Sequence, residues 1–306
     1  VLRGPYVSVS GRTSEAREPS LQFFYDRSDN RFEQVMAYFH IDRNRRYLQS
    51  LGFTSILNSP VTVITNASDE DESYYSYFSR RLTYGSGGVD DAEDADIIIH
   101  EYGHAIQDDQ IPGYGTTQET KAMGEGFGDY WAFSNDPDGT FHREIIGDWD
   151  AVAYSTATPP YLRRVDEDLR YPNDLVHQEH EDGRIWSRAL YDIWNMLGKT
   201  VTDTLVIESH FTLSPDATFF DGAFAIYETD RRLYGGAHLD KIFEAFNDRG
   251  LAAATLSQSR LTVTAGEQVE VPVRQAVLGG PATFRWEQIA GPVAEERIAT
   301  SDRLYF

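Results

Sequence analysis

The stretch "DADIIIHEYGHAIQ", residues 94–107, constrains the fold of this chain more than any other. An apolar turn runs straight into two histidines with a glutamate beside the first. On an α-helix, residues four apart lie on one face, so His100 and His104 can present two ring nitrogens to a single ion. Glu101 sits one step further round, too far to be the natural third ligand but well placed to reach a water at that ion. This is the H-E-x-x-H pattern, in which the glutamate serves as general base. The plainer alternative is an amphipathic helix carrying two surface histidines, and so short a motif recurs by chance.

A third ligand decides between the two. The chain has no cysteine, so thiolate sites and disulfides are excluded and a transition metal must be held by His, Asp or Glu. A metzincin needs Gly at 107 and His at 110; both positions are glutamine, which removes that class. Downstream, "GEGFGDYW" offers Glu125 and Asp129, again four apart on a predicted helix. Glu125 follows His104 by 21 positions, enough for one loop and a returning helix that brings a carboxylate to the histidines. Asp129, one turn on, is placed to accept the free N–H of a ligand histidine. Taken alone, a Glu-Gly pair is more often a solvated helix start; coupled to H-E-x-x-H at this separation it reads as a metal ligand.

The rest of the chain supplies a frame for that pair of helices. Residues 31–53 carry Phe32, Val35, Met36, Phe39, Leu48 and Leu51 near helical spacing, with Gly52 as a stop. "VTVITN" (61–66) reads as a strand, "ASDEDES" (67–73) as an acidic loop, and "RRLTYGSGG" (80–88) as a strand entering a glycine turn. The metal-pattern helix is expected to start within "DDAEDAD", whose carboxylates favour a helix N-terminus. A second helix is expected over 118–136, a loop-rich stretch from Pro137 to Asp182, and an amphipathic helix over 184–198. Helices near 216–230 and 238–248 follow, the latter closed by Gly250. Period-two alternation and Gly/Pro punctuation after 255 predict a β module.

"HEYGHAI", "GEGFGDYWA" and "HEDGRIW", in that order, resemble the fungalysin-type metallopeptidases, relatives of thermolysin. "RFEQVMAYFHIDRNRRYLQSLGF", "PVTVITNA" and "YGGAHLDKIFEAFNDRGL" fall in the same order as in that family, so the resemblance runs from about Gly4 to Leu251. It implies an α+β, thermolysin-like two-lobed catalytic domain over 1–254, with a mixed β/α N-terminal lobe, a mainly helical C-terminal lobe and zinc at the cleft floor. His100, His104 and Glu125 would be the ligands, Glu101 the base. The family's oxyanion-stabilising histidine matches His180, three residues before Gly183 and six before Trp186. His177 is its competitor, and Asp174 a group able to orient either. The family's Asn-Ala pair beside the substrate-binding edge strand matches Asn66-Ala67, although the acidic insert that follows makes "SYYSYF" (73–78) the alternative edge segment. "TFRWEQIAGP" resembles a strand of a PKD-type immunoglobulin-like module over 255–306, too short for a complete sandwich.

The resemblance implies secretion, a protein or peptide substrate, and synthesis with a leader and an inhibitory propeptide removed on maturation. Residues 1–12 are not a signal peptide, so either the chain stays in the cytosol or its leader has gone. A net charge of −22 argues against nucleic acid and against anionic membrane surfaces. The acidic clusters at 69–72 and 90–96 are candidate calcium ligands, but neither has EF-hand spacing and a solvated face is the commoner use of such runs. A different class of reading is a zinc-stabilised but catalytically idle binding protein that recognises partners through the β module; the retained Glu101 and His180 argue against it. A related aminopeptidase is disfavoured because no "GAMEN"-like segment is present.

Overall fold

Valines alternate in Val7–Gly11 (β1) and Val61–Thr65 (β2), and in both strands the valines on one face are buried. The two run parallel, with Val7 opposite Val61 and Val9 opposite Val63. Arg81–Tyr84 (β4) adds parallel to β2, and Ser73–Ser76 (β3) adds antiparallel to β4, giving the order β1-β2-β4-β3 with β3 at an edge. These elements belong to a computed structural model that describes residues 1–136 and 142–252, and beyond them the backbone of three short strands.

The helix Phe32–Ser50 (α1) packs on β1 and β2 and against Ala95–Gln110 (α2), the helix of the two histidines. The buried face of α1 is not the expected apolar stripe. Phe39 is exposed, whereas Glu33, Gln34, His40, Asn44 and Arg45 are buried among Ala37, Ile41 and Leu48. The reason lies in the loops on either side, whose backbone groups need partners. Arg45 donates to the carbonyls of Phe53, Thr54 and Leu57, and Gln34 accepts from the Ala16 amide.

The remainder is mainly helical. Gln118–Asn135 (α3) lies between α2 and Glu179–Leu197 (α4), followed by Lys199–His210 (α5), Phe219–Tyr234 (α6) and Leu239–Asp248 (α7). Between α3 and α4 a two-residue ladder pairs Ile145–Ile146 (β5) with Arg163–Arg164 (β6). The helix α4 begins five residues before the expected start at 184, because Gln178 caps it by accepting from the Glu181 amide. The helix α5 was not expected at all: "KTVTDTLVIESH" is rich in β-branched residues, and its helical form comes from burying Leu205, Val206 and Ile207. Among the described residues no helix is long and apolar enough to cross a membrane.

Thr255–Leu256 (β7), Glu270–Arg274 (β8) and Arg303–Tyr305 (β9) pair antiparallel in the order β7-β8-β9. Phe284 and Trp286, which carry the PKD-type resemblance, and residues 253–254, where the domain boundary is expected, lie outside the described residues.

One buried carboxylate ties α1, α3 and α5 together. Asp203 accepts from the hydroxyls of Tyr47, Tyr130 and Ser134 and from the Lys199 ammonium, at 2.5–2.9 Å. Removing it leaves three hydroxyls without their acceptor and the Lys199 ammonium without its counter-charge. Asp203→Ala is expected to lower unfolding free energy by about 3 kcal/mol or more, read from the shift in urea midpoint; a change within error would show that the hub contributes little.

Candidate active site

The helix α2 is seated by the residue that precedes it. Asp94 accepts from the Asp96 amide as N-cap and from the amides of Trp149 and Asp150 with its other oxygen, fixing the helix against the far side of a cavity. The carboxylate expected at a helix N-terminus is thus a specific cap. About two and three turns on, His100 and His104 are both buried, with ring centroids 4.9 Å apart and nearly perpendicular.

Glu125 on α3 reaches both. Its Oε2 lies 3.1 Å from His100 Nε2 and its Oε1 3.4 Å from His104 Nε2. One donor atom from each of the three residues falls within 4.8 Å of the other two. Two imidazoles and a carboxylate at that spacing suit a borderline-soft ion such as zinc, which takes N and O ligands at about 2.0–2.2 Å and keeps a further position open. The surface-histidine alternative does not hold, since both rings are buried.

Of the two nitrogens that face away from Glu125, that of His100 has a partner. Asp129 Oδ1 accepts from His100 Nδ1 at 2.8 Å, as expected from the spacing. His104 Nδ1 is buried without a partner, as is Oε1 of Gln107, and both border Gly124. Burial disfavours charge on both rings, but the bonds to Asp129 and Glu125 outweigh it for His100, whose pKa is pushed up to about 10. His104, with burial dominant, falls to about 4.

Two groups at the site were not found from sequence. Arg163, on β6, grips Asp129 with two N–H bonds of 2.7 Å and is itself almost fully buried. It sits beside Arg164, which pairs with Asp166, and nothing in "LRRVDED" distinguishes one arginine from the other. Gln178 is the second. Its Oε1 caps α4, which leaves its Nε2 as donor to His180 Nδ1 at 2.8 Å. The His180 proton is thereby placed on Nε2, the atom 3.3 Å from Glu125 Oε2. His180 therefore lies in the first turn of α4, in contact with the Glu125 carboxylate and half exposed. His177 points elsewhere, exposed with φ 61°, and Asp174 accepts from the Arg170 amide rather than from either histidine.

Glu101 is buried and binds neither histidine. Burial raises its pKa to about 7, opposed by His100 and by the backbone N–H of Tyr75 on β3. The edge strand is thus "SYYS" within "SYYSYF", while Asn66 is buried and donates to Asp90. His100, Glu101, Arg163 and His180 share a cavity of about 820 Å³ with Ile97 and Leu162.

Close helix approach makes the glycines of "GEGFGDYW" necessary. A methyl group on Gly128 would fall 2.7 Å from the His100 ring, and one on Gly126 2.3 Å from the Gly183 carbonyl on α4.

A histidine pair on one helix, met by a carboxylate from the next and flanked by a buried glutamate, defines a gluzincin-type donor set. The fold is similar to that of a solved precursor of protealysin, a metalloproteinase from Serratia proteamaculans, with a TM-score of 0.60 at 14% identity over 80% of this chain and 87% of that one. The chain belongs to the fungalysin metallopeptidase (M36) family, whose model matches residues 83–255. It is 26% identical over 212 residues to an extracellular metalloproteinase MEP of Leptosphaeria maculans, covering 56% of this chain and 32% of that protein. It is 28% identical over 211 residues to an extracellular metalloproteinase MEP of Fusarium vanettenii, covering 55% and 32%. The matched region thus spans about a third of the length of these curated relatives.

Gly128→Ala is expected to displace the His100 ring and weaken zinc affinity about tenfold or more, measured by competition with a chromogenic chelator. Unchanged affinity would mean that His100 is not held where a ligand must be.

Proposed function

We propose that the chain is a secreted zinc endopeptidase in which His100, His104 and Glu125 hold the metal. The single observation that carries the reading is the meeting of two Nε2 atoms with one carboxylate, beside a buried Glu101 that makes no bond to either ring. Bound zinc supplies a Lewis acid that acidifies water and polarises a peptide carbonyl. Glu101 takes the proton from the attacking water and passes it to the departing amine. His180 donates its Nε2–H to the oxygen that gains charge, and Gln178 keeps the proton on that nitrogen. Asp129, held by Arg163, fixes the orientation and tautomer of His100.

The substrate is a peptide in extended form that pairs with β3, with its reacting carbonyl over Glu101. Secretion follows the relatives, which are named extracellular metalloproteinases. The solved neighbour is a precursor, which supports an inhibitory propeptide removed on maturation. Neither nucleic acid nor a membrane is a partner in this reading, given the charge of −22. Residues 1–254 would form the two-lobed catalytic domain, with zinc at the floor of its cleft, and 255–306 a separate β module. Calcium enters as a second metal with a structural role.

Glu101→Gln should retain zinc and lower kcat/KM on a quenched fluorescent peptide about a thousandfold. Activity close to that of the unaltered chain would remove Glu101 from the chemistry. His180→Ala should lower kcat about a hundredfold with little change in KM; an effect confined to KM would assign His180 to substrate binding instead. A chelator should abolish cleavage and added zinc restore it.

A further inference from the structure

The two acidic clusters expected to form a solvated face do so only in part. Asp69 and Glu70 are exposed, but Asp91 and Asp94 are buried, at 3% exposure each. Asp94 is fully used as a helix cap. Asp91 is brought against Asp71 from the other cluster and against Asp150, 4% exposed, from the 3₁₀ turn Asp150–Ala153. One carboxylate oxygen from each of the three lies within 4.8 Å of the other two. All three line the cavity that holds His100 and Glu101.

The two buried carboxylates are held by one oxygen and open at the other. Asp91 Oδ2 accepts from the Ser73 hydroxyl and, at 3.3 Å, from the Gly85 amide, while its Oδ1 is buried without a partner. Asp150 Oδ2 accepts from the Tyr154 hydroxyl at 2.5 Å, and its Oδ1 is likewise buried without a partner. Asp71 comes from an exposed loop, with its carboxylate beside Gly88. Burial, with repulsion from Asp150 and Asp71, pushes the Asp91 pKa up to about 7.

Among the described residues no amine or guanidinium bonds any of these carboxylates. Two unpartnered buried oxygens beside a third carboxylate repel one another unless a positive charge sits among them. We infer that Asp71, Asp91 and Asp150 form a second metal site, for a hard divalent cation of calcium's class, in the wall of the cleft. An ion held about 2.4 Å from several oxygens keeps those oxygens within about 4.8 Å of each other, the spacing found here. A donor set made only of carboxylate oxygens selects calcium over zinc. A cationic side chain of a substrate fits less well, because the free oxygens of Asp91 and Asp150 are out of reach of solvent and a guanidinium is larger than water. The exposed Asp71 marks the side by which an ion enters and keeps water.

The site is separate from the zinc ligands, and its three residues belong to three stretches of chain: the loop before β3, the 3₁₀ turn before α2, and the turn leading to Tyr154. An ion there ties the edge strand and the histidine helix to the opposite wall of the cavity.

The test uses the zinc-loaded chain and calcium alone, titrated by calorimetry, with terbium luminescence excited through tyrosine as a local probe, since Tyr154 is bonded to Asp150. Asp71 is exposed, so Asp71→Asn should fold; circular dichroism checks this. The expected result is the loss of one calcium per chain, or a fall in its affinity of about tenfold or more, with loss of the calcium-displaceable terbium signal. Asp150→Asn should do the same. The proposal is overturned if the unaltered chain binds no calcium, or if the folded Asp71→Asn chain binds as many calcium ions as the unaltered chain with the same affinity. Either result would leave the zinc reading untouched.

Discussion

A single, largely enclosed carboxylate, Glu125, sits where three helices meet, and three imidazoles surround it. His100 and His104 approach from α2 and His180 from the first turn of α4, all within 3.1–3.4 Å of one or other oxygen. Such a group is costly to bury unless positive charge or N–H donors reach it. The helices must therefore pack closely enough to bring the rings in, and Gly126 and Gly128 permit that approach. Around this centre the supporting contacts run outward in order: Asp129 on His100, Arg163 on Asp129, Gln178 on His180.

The same rule governs the rest of this acidic chain. Asp203, Asp94 and Asp129 are each fully buried or nearly so, and each accepts from several donors in different elements. Carboxylates here act as junctions between segments, which the net charge alone does not reveal. Asp91 and Asp150 depart from that rule, with an oxygen apiece left over.

Much of this was legible in the sequence because period and spacing act locally. The i, i+4 pairs His100–His104 and Glu125–Asp129 follow from helix geometry, and Glu125 stood out through its coupling to the H-E-x-x-H pattern. What escaped notice is set by tertiary contact. The face that α1 buries is polar because loops on either side need its side chains as partners. The helix α5 contradicts its own β-branched composition because three of its residues are needed in the core. Arg163 and Asp150 lie in a loop-rich stretch with no periodicity to point to them, and their positions are fixed by contacts across tens of residues.

The edge position of β3 has a consequence beyond the geometry of the cleft. Among the described residues no strand pairs with its outer edge, where the Tyr75 amide bonds Glu101. In the proposed reading, a segment that joins it needs unpaired backbone groups of its own, which helices and central strands of a folded protein do not offer. Under the proposed function, selection at such an edge would act on conformation before side chains, favouring frayed termini, long loops and denatured polypeptides.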